Sequence, residues 1–193
     1  MVAAGGDGSY HEVVNGMLAR PDKLKLPIAM LPNGSGNDTC SSIGVKTLDD
    51  ALNYIVNAEV IALDTVKCLI DYDHENLIPE HKILTNYRHM LINATLAVPA
   101  KIANEAQKYK KCCGKNCYAV ATLQEAALGR LTQSVFEVEI DGKLVTSPNK
   151  PNISSIFLMM FNGKTTGGGC IIDPFACMND GLVDFVWLHD EKV

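Results

Sequence analysis

Two glycine-rich runs near the start of this 193-residue chain could do chemistry: Gly5-Gly6-Asp7-Gly8-Ser9 and Asn33-Gly34-Ser35-Gly36-Asn37-Asp38. Each lies between an apolar run and a helical segment. Glycine lets the backbone bend sharply and approach a ligand closely, and a helix N-terminus offers unpaired N–H groups and a partial positive charge. A phosphate suits such a place; a tight turn is the plain alternative. In a parallel sheet both loops open at the C-terminal edge of the strands, where ligands bind. Neither run fits the dinucleotide fingerprint, because His11 and Thr39 stand where its last glycine belongs. Gly163-Lys164-Thr165 looks like the end of a Walker loop, but Leu158 replaces the glycine that motif requires.

The elements that must position these loops are legible. Val2–Ala4 reads as the end of a strand. Ser9 reads as a helix N-cap, with Glu12 completing a capping box. Tyr10, Val13, Val14, Met17 and Leu18 then form one apolar stripe that ends at Arg20-Pro21. Pro27–Leu31 is a second strand. Leu48–Asn57 is a helix capped by Thr47, with Leu48, Ala51, Leu52, Ile55 and Val56 as its apolar side. This alternation predicts a partial parallel α/β domain over residues 1–58. Residues 59–193 read as a mostly β second domain with inserted helices. In it, Glu59–Asp71 is a strand and Asp73–Asn86 a polar loop. Pro99–Cys112 and Asn116–Leu128 are helices. Gln133–Ile140 alternates as one strand into a hairpin turn at Asp141-Gly142, and Ile156–Phe161 and Leu182–Leu188 are further strands.

Composition narrows the function classes. A chain that is 47% hydrophobic and 20% charged is globular, not disordered. A net charge of −5 argues against a nucleic-acid partner. The densest basic cluster, Lys108, Lys110, Lys111 and Lys115, reads as a solvated helix face that could also touch anionic lipid heads. No stretch is long and apolar enough to span a membrane. Seven cysteines without a signal-like leader read as reduced thiols of a cytoplasmic protein. Cys112, Cys113 and Cys117 cluster, but not at zinc-site spacing.

The glycine runs also carry a family resemblance. Gly5-Gly6-Asp7-Gly8-Ser9 with His11-Glu12-Val13-Val14-Asn15-Gly16 resembles the signature of the diacylglycerol kinase catalytic domain, shared by sphingosine, ceramide and bacterial lipid kinases. Leu31-Pro32-Asn33-Gly34-Ser35-Gly36-Asn37-Asp38 resembles its second signature. Asp173-Pro174-Phe175-Ala176 with Asn179-Asp180-Gly181-Leu182-Val183-Asp184 resembles its third. NAD kinases share the Gly-Gly-Asp-Gly element, but the Ser-Gly-Asn-Asp loop favours the lipid branch. The resemblance implies an NAD-kinase-like α/β domain followed by a β-sandwich-like one.

It also implies transfer of the ATP γ-phosphoryl group to a lipid hydroxyl, diacylglycerol or a sphingoid base, with Mg²⁺ and transient contact with the membrane. Gly5, Gly6, Asp7, Gly8, Ser9, Glu12, Gly34, Ser35, Gly36 and Asn37 would then hold the nucleotide. A carboxylate beside phosphates is repelled unless a cation intervenes. Asp7 is therefore assigned to the Mg²⁺–phosphate network or to activation of the acceptor hydroxyl, with a plain turn-former as the alternative. Asp38 is either a helix cap or part of that network, and Asp64 is an acid near the site. The resemblance puts a second-domain ion on Asp180, with backbone oxygens near Cys177 and Leu182; a plain turn is the alternative. Gly167-Gly168-Gly169 either lines the cleft or is a flexible turn.

The family's segments before the first loop and its later Asp-Gly-Glu element have no counterpart; His189-Asp190-Glu191 does not match it. The 193 residues alone are therefore expected to be unstable or nearly inactive. A non-catalytic nucleotide- or lipid-binding module and an NAD kinase are the rival readings.

Overall fold

A computed structural model describes residues 1–69, 87–145 and 152–188. The expected loop at Asp73–Asn86 and the His189-Asp190-Glu191 segment lie outside the described residues. The chain forms two compact units. Unit 1 is Met1–Asn93 with Phe161–Asp184, and unit 2 is Ala94–Met160 with Phe185–Val193.

In unit 1, β1 (Val2–Gly5) and β2 (Ala29–Pro32) pair in parallel, Val2 opposite Ala29 and Gly5 opposite Pro32. Helix α1 (Asp7–Leu18) connects them. Its apolar stripe works as the periodicity predicts: Tyr10 and Val14 are buried in a core with Ala3, Cys40, Val45, Ala51, Leu91 and Ile92. The Tyr10 hydroxyl donates to the Leu31 carbonyl, at the end of β2. Asn15, on the same helix, brackets the backbone of His89: its Nδ2 donates to the His89 carbonyl at 3.0 Å and its Oδ1 accepts the His89 amide at 2.8 Å.

The start of α1 differs from the sequence reading. Gly6 occupies the N-cap position with no side-chain cap, so Ser9 does not cap the helix. The extended backbone of Gly6 lets its carbonyl accept the amides of Ser9 and Tyr10, and the helix begins two residues before Ser9. Glu12 forms no capping box; its exposed carboxylate lies 3.4 Å from His11 Nδ1.

Two short helices follow β2: α2 (Asp38–Ser42) and α3 (Leu48–Val56). Thr47 caps α3 as expected. Its hydroxyl accepts the Asp50 amide at 3.1 Å while Asp50 Oδ2 accepts the Thr47 amide at 2.8 Å. Thr47→Ala removes this reciprocal pair, so a loss of about 1 kcal/mol in urea unfolding is expected, with Thr47→Ser retaining stability. The apolar side of α3 is only partly covered. Ala51 is buried, but Leu48, Leu52, Ile55 and Val56 remain exposed, Val56 at 81%. Residues 59–65 are not a strand. Val60, Ile61 and Leu63 instead line an apolar groove of about 390 Å³ with α3 and the start of β1. The strand begins at Val66: β3 (Val66–Leu69) pairs antiparallel with β4 (Tyr87–Met90).

Unit 2 holds most of β5 (Asn93–Ala97), followed by a helical hairpin: α4 (Val98–Cys113), one 3₁₀ turn (Gly114–Asn116) and α5 (Cys117–Ala127). Small residues at the contact, Ala106, Cys117 and Ala121, are buried and let the helices approach closely. The Glu125 side chain, 1% exposed, is paired with Lys101 Nζ at 2.8 Å and Arg130 Nη1 at 3.6 Å. That pairing, Lys101 foremost, holds its carboxyl below the usual range.

The predicted strand over residues 133–140 is two. Here β6 (Ser134–Phe136) pairs with β9 (Ile153–Ser155), while β7 (Val138–Ile140) pairs with β8 (Lys143–Val145). The β7–β8 turn has positive φ at both Asp141 (51°) and Gly142 (73°), as a two-residue hairpin turn requires. A three-stranded sheet is formed by β5, β10 (Phe157–Phe161) and β13 (Asp184–Trp187). In unit 1, β11 (Thr165–Thr166) and β12 (Cys170–Ile171) form a small hairpin around the Gly167–Gly169 turn. Each unit is built from two separate stretches of the chain.

Candidate active site

Both glycine runs sit at the C-terminal ends of parallel neighbours. They touch. A Cβ placed on Gly34 would lie 2.4 Å from Gly6 Cα, and one on Gly6 would lie 2.9 Å from Gly34 Cα. No side chain other than hydrogen fits between the loops at these two positions. A Cβ on Gly5 would collide with the Ser9 side chain at 2.6 Å. Over Gly8 the space is open: a Cβ there would meet nothing within 4 Å. Ser9, Glu12 and Ser35 are exposed. At the start of α1 the amides of Asp7 and Gly8 have no acceptor among the described residues, whereas Ser9 and Tyr10 donate to Gly6. These two amides are the orphan donors that a helix N-terminus offers an anion.

Asp7 turns away from its own helix and caps the next one. Its Oδ2 accepts the Asp38 amide at 3.1 Å, and its Oδ1 accepts the Thr39 amide at 2.8 Å and the Thr39 hydroxyl at 2.9 Å. An acidic group at the first turn of α2 is favoured by the helix dipole as well as by these bonds. Asp38, 6% exposed, passes the connection on. Its Oδ2 and Oδ1 accept the amides of Gly168 and Gly169, both at 2.8 Å. Gly168 and Gly169 have φ of +93° and +104°, which side chains rarely tolerate. Asp7 and Asp38 thus tie three loops together, at residues 5–8, 33–37 and 167–169.

Asn37 braces the middle loop internally. Its Oδ1 accepts the Gly34 amide at 2.7 Å, its Nδ2 donates to the Gly34 carbonyl at 3.0 Å, and its own φ is +55°. Gly36 packs tightly: a Cβ there would meet Asp7 Oδ2 at 3.1 Å, Asp38 Oδ2 at 3.2 Å and Gly168 Cα at 3.4 Å. The sequence assigns Thr39 no role, and nothing in its neighbourhood signals one. Its bonds reach a residue 32 positions away.

The third motif lies in the same unit. Asp64 is half-buried in a loop, its Oδ2 accepting the Gly181 amide at 2.7 Å and its amide donating to the Met178 carbonyl at 2.7 Å. Asn162, 1% exposed and unmarked by sequence, donates to the carbonyls of Asp64 (3.1 Å) and Leu91 (2.7 Å). Asp180 is exposed, and its Oδ1 accepts the Leu182 amide at 3.0 Å. Cys177 Sγ lies 3.0 Å from Asn179 Oδ1 and donates to it. Burial, then the nearby Asp173 and Asp180, hold the Asp184 carboxyl above its usual range. Among the described residues no three His, Cys, Asp or Glu side chains converge as a metal cage. The Asp180 carboxylate keeps a free oxygen of the hard kind Mg²⁺ prefers.

Residues 1–68 match the diacylglycerol kinase catalytic domain, and residues 94–192 match the YegS C-terminal NAD kinase beta sandwich-like domain. The chain belongs to the family of the YegS C-terminal NAD kinase beta sandwich-like domain. Proteins to which it is similar include ones named "Probable lipid kinase YegS-like". That of Yersinia enterocolitica is 25% identical over 197 residues, covering 100% of this chain and 58% of that protein. That of Shewanella frigidimarina is 26% identical over 192 residues, covering 97% and 54%. A crystal structure of a diacylglycerol kinase from Bacillus anthracis shares the fold, with a TM-score of 0.66 at 19% identity, covering 97% of this chain and 53% of that one. The chain therefore spans little more than half the length of the curated relatives it matches. Among the described residues no helix is long and apolar enough to cross a membrane.

Proposed function

We propose that this chain handles the nucleotide in transfer of the ATP γ-phosphoryl group to a lipid hydroxyl, diacylglycerol or a sphingoid base. The observation that carries this reading is the direct backbone contact of Gly6 with Gly34, beside the unpaired amides of Asp7 and Gly8. Two touching, side-chain-free bends at adjacent strand ends leave room for a phosphate chain, and the helix start supplies donors to it. The Ser9 and Ser35 hydroxyls are exposed at the rim and available to phosphate oxygens. Asp7 and Asp38 hold the loops in register. Asp7 also places negative charge beside the phosphates, next to the position of the acceptor hydroxyl in this reading. Mg²⁺, when bound, neutralises charge that develops on the phosphoryl oxygens. In the third motif the Asp180 carboxylate and the backbone oxygens of Cys177 and Leu182 are the candidate holders of a further ion.

Equilibrium binding of MgATP to the 193-residue chain tests the nucleotide half of this reading. Saturable binding that competes with ADP is expected. Radiolabel transfer from ATP to diacylglycerol, sphingosine or NAD tests the rest. Labelling of a lipid in the relatives' full-length context, with NAD unlabelled, is expected. Absence of nucleotide binding overturns the reading; binding without lipid labelling by an intact protein favours a non-catalytic module.

A further inference from the structure

The helical hairpin of unit 2 holds a pair of thiols that the nucleotide site does not use. Cys112 and Cys113 are the last two residues of α4, and their sulfurs lie 3.3 Å apart. Cys112 is exposed and Cys113 half-buried. Cys113 packs against the close helix contact of Ala106, Cys117 and Ala121. Other cysteines have partners of a different kind. Cys40 donates to the Tyr10 hydroxyl, Cys68 to the Val66 carbonyl and Cys177 to Asn179 Oδ1.

The pair has a direction. The Cys112 thiol donates to the Tyr109 carbonyl at 3.3 Å, so its sulfur lone pairs are left to accept the Cys113 S–H. That bond, ahead of burial, holds the Cys113 thiol above its ordinary pKa. Cys113 therefore keeps its proton while Cys112 ionises, and the thiolate is the nucleophile. Lys110 and Lys111, in the same last turn, set positive charge against the negative end of the helix.

Adjacent Cα atoms are about 3.8 Å apart across a trans peptide. That is inside the usual disulfide spacing of about 4.4–6.8 Å, so a bond between neighbours is strained and easily reduced. The helix ends at this point. Gly114 caps it with φ 52° and ψ −122°, and the last carbonyls of a helix have no intrahelical partners. The final turn can open to admit the bond.

We propose that Cys112 and Cys113 form a reversible thiol–disulfide exchange site for a small-molecule disulfide such as oxidised glutathione. The exposed Cys112 thiolate attacks one sulfur of that disulfide. Its S–S bond breaks, a mixed disulfide forms on Cys112, and one glutathione thiolate leaves. Cys113 then gives up its proton, and its sulfur attacks Cys112 Sγ, displacing the second glutathione thiolate. The two protein thiols lose two electrons and two protons; the glutathione disulfide gains them and becomes two thiols. The proposal concerns unit 2 and does not rest on the kinase reading.

Tryptic mapping tests it, because Lys111 and Lys115 bracket both cysteines and leave Cys117 on a separate peptide. The 193-residue chain is treated with oxidised glutathione, its remaining thiols are alkylated, and it is digested without reductant. The Cys112–Lys115 peptide is expected unalkylated and two hydrogens lighter than its reduced form. Excess reduced glutathione should restore both thiols. In Cys113→Ser the reaction should stop with glutathione held on Cys112. In Cys112→Ser modification of this peptide should slow at least about tenfold, since the half-buried, protonated thiol is then alone. A mixed disulfide that persists on Cys112 of the parent chain overturns the proposal. So does a link to the Cys117 peptide, a bond that excess reduced glutathione cannot reopen, or a peptide that remains fully alkylated.

Discussion

Replacing Gly34 with alanine is expected to destabilise unit 1 by about 3 kcal/mol and to weaken MgATP binding at least tenfold. The methyl group would stand 2.4 Å from Gly6 Cα and 2.8 Å from Asn37 Oδ1. Asn37 is a side chain and can yield, but only by giving up its paired bonds to the Gly34 backbone. Gly6 is backbone at the mouth of a helix and can yield only if β1 and α1 part from β2. Thermal unfolding and nucleotide titration of the same variant check both effects. Gly8→Ala is the control: nothing lies within 4 Å of the added carbon, so stability should change little while ligand access changes. Equal stability of Gly34→Ala and the parent would mean that the two bends are not in contact in solution.

Asp7→Asn should be nearly as damaging although it changes one atom. The carboxylate accepts three donors, and hydrogen bonds to a charged acceptor are each worth about 1.5–3 kcal/mol. An asparagine keeps one acceptor oxygen and turns an NH₂ group towards an N–H. Because Asp7 is half-buried, part of that loss is made good by water; a net destabilisation of about 2–3 kcal/mol is expected in denaturant titrations. Thr39→Val removes only the hydroxyl contact and should cost about 1 kcal/mol. If lipid phosphorylation collapses in Asp7→Asn but survives in Thr39→Val at matched stability, Asp7 acts at the reacting groups as well as on the loops. Parallel losses in both variants would confine it to positioning.

Much of the fold near the site is written locally. The stripe of α1, the flanking apolar strands and the Thr47–Asp50 cap each need a window of a few residues, and each is where the pattern puts it. The adjacency of the two glycine bends follows from consecutive strand–loop–helix units in a parallel pair. What the sequence hides is partner choice. The alternation over residues 133–140 is the same for one strand or for two that pair with different neighbours. Of the run after Glu59, Val60, Ile61 and Leu63 line a groove, and only Val66–Leu69 joins a sheet. Ser9 has the right chemistry for a cap, but Gly6 begins the helix first. Asp7 has an evident charge and no local sign that its donors lie 31 and 32 residues downstream. The Gly167–Gly169 turn is equally opaque, since its reason for being glycine is the Asp38 carboxylate 130 residues earlier.

That last bond bears on the order in which the protein is made. The strands and helix of the first 42 residues can assemble as they leave the ribosome, but Asp38 has no amides to receive until Gly168 and Gly169 have been synthesised. Until then its carboxylate is without those two donors. Long-range closures of this kind come late and slowly in folding. A nascent chain halted just before that turn should therefore hold its early secondary structure while its nucleotide pocket remains unset.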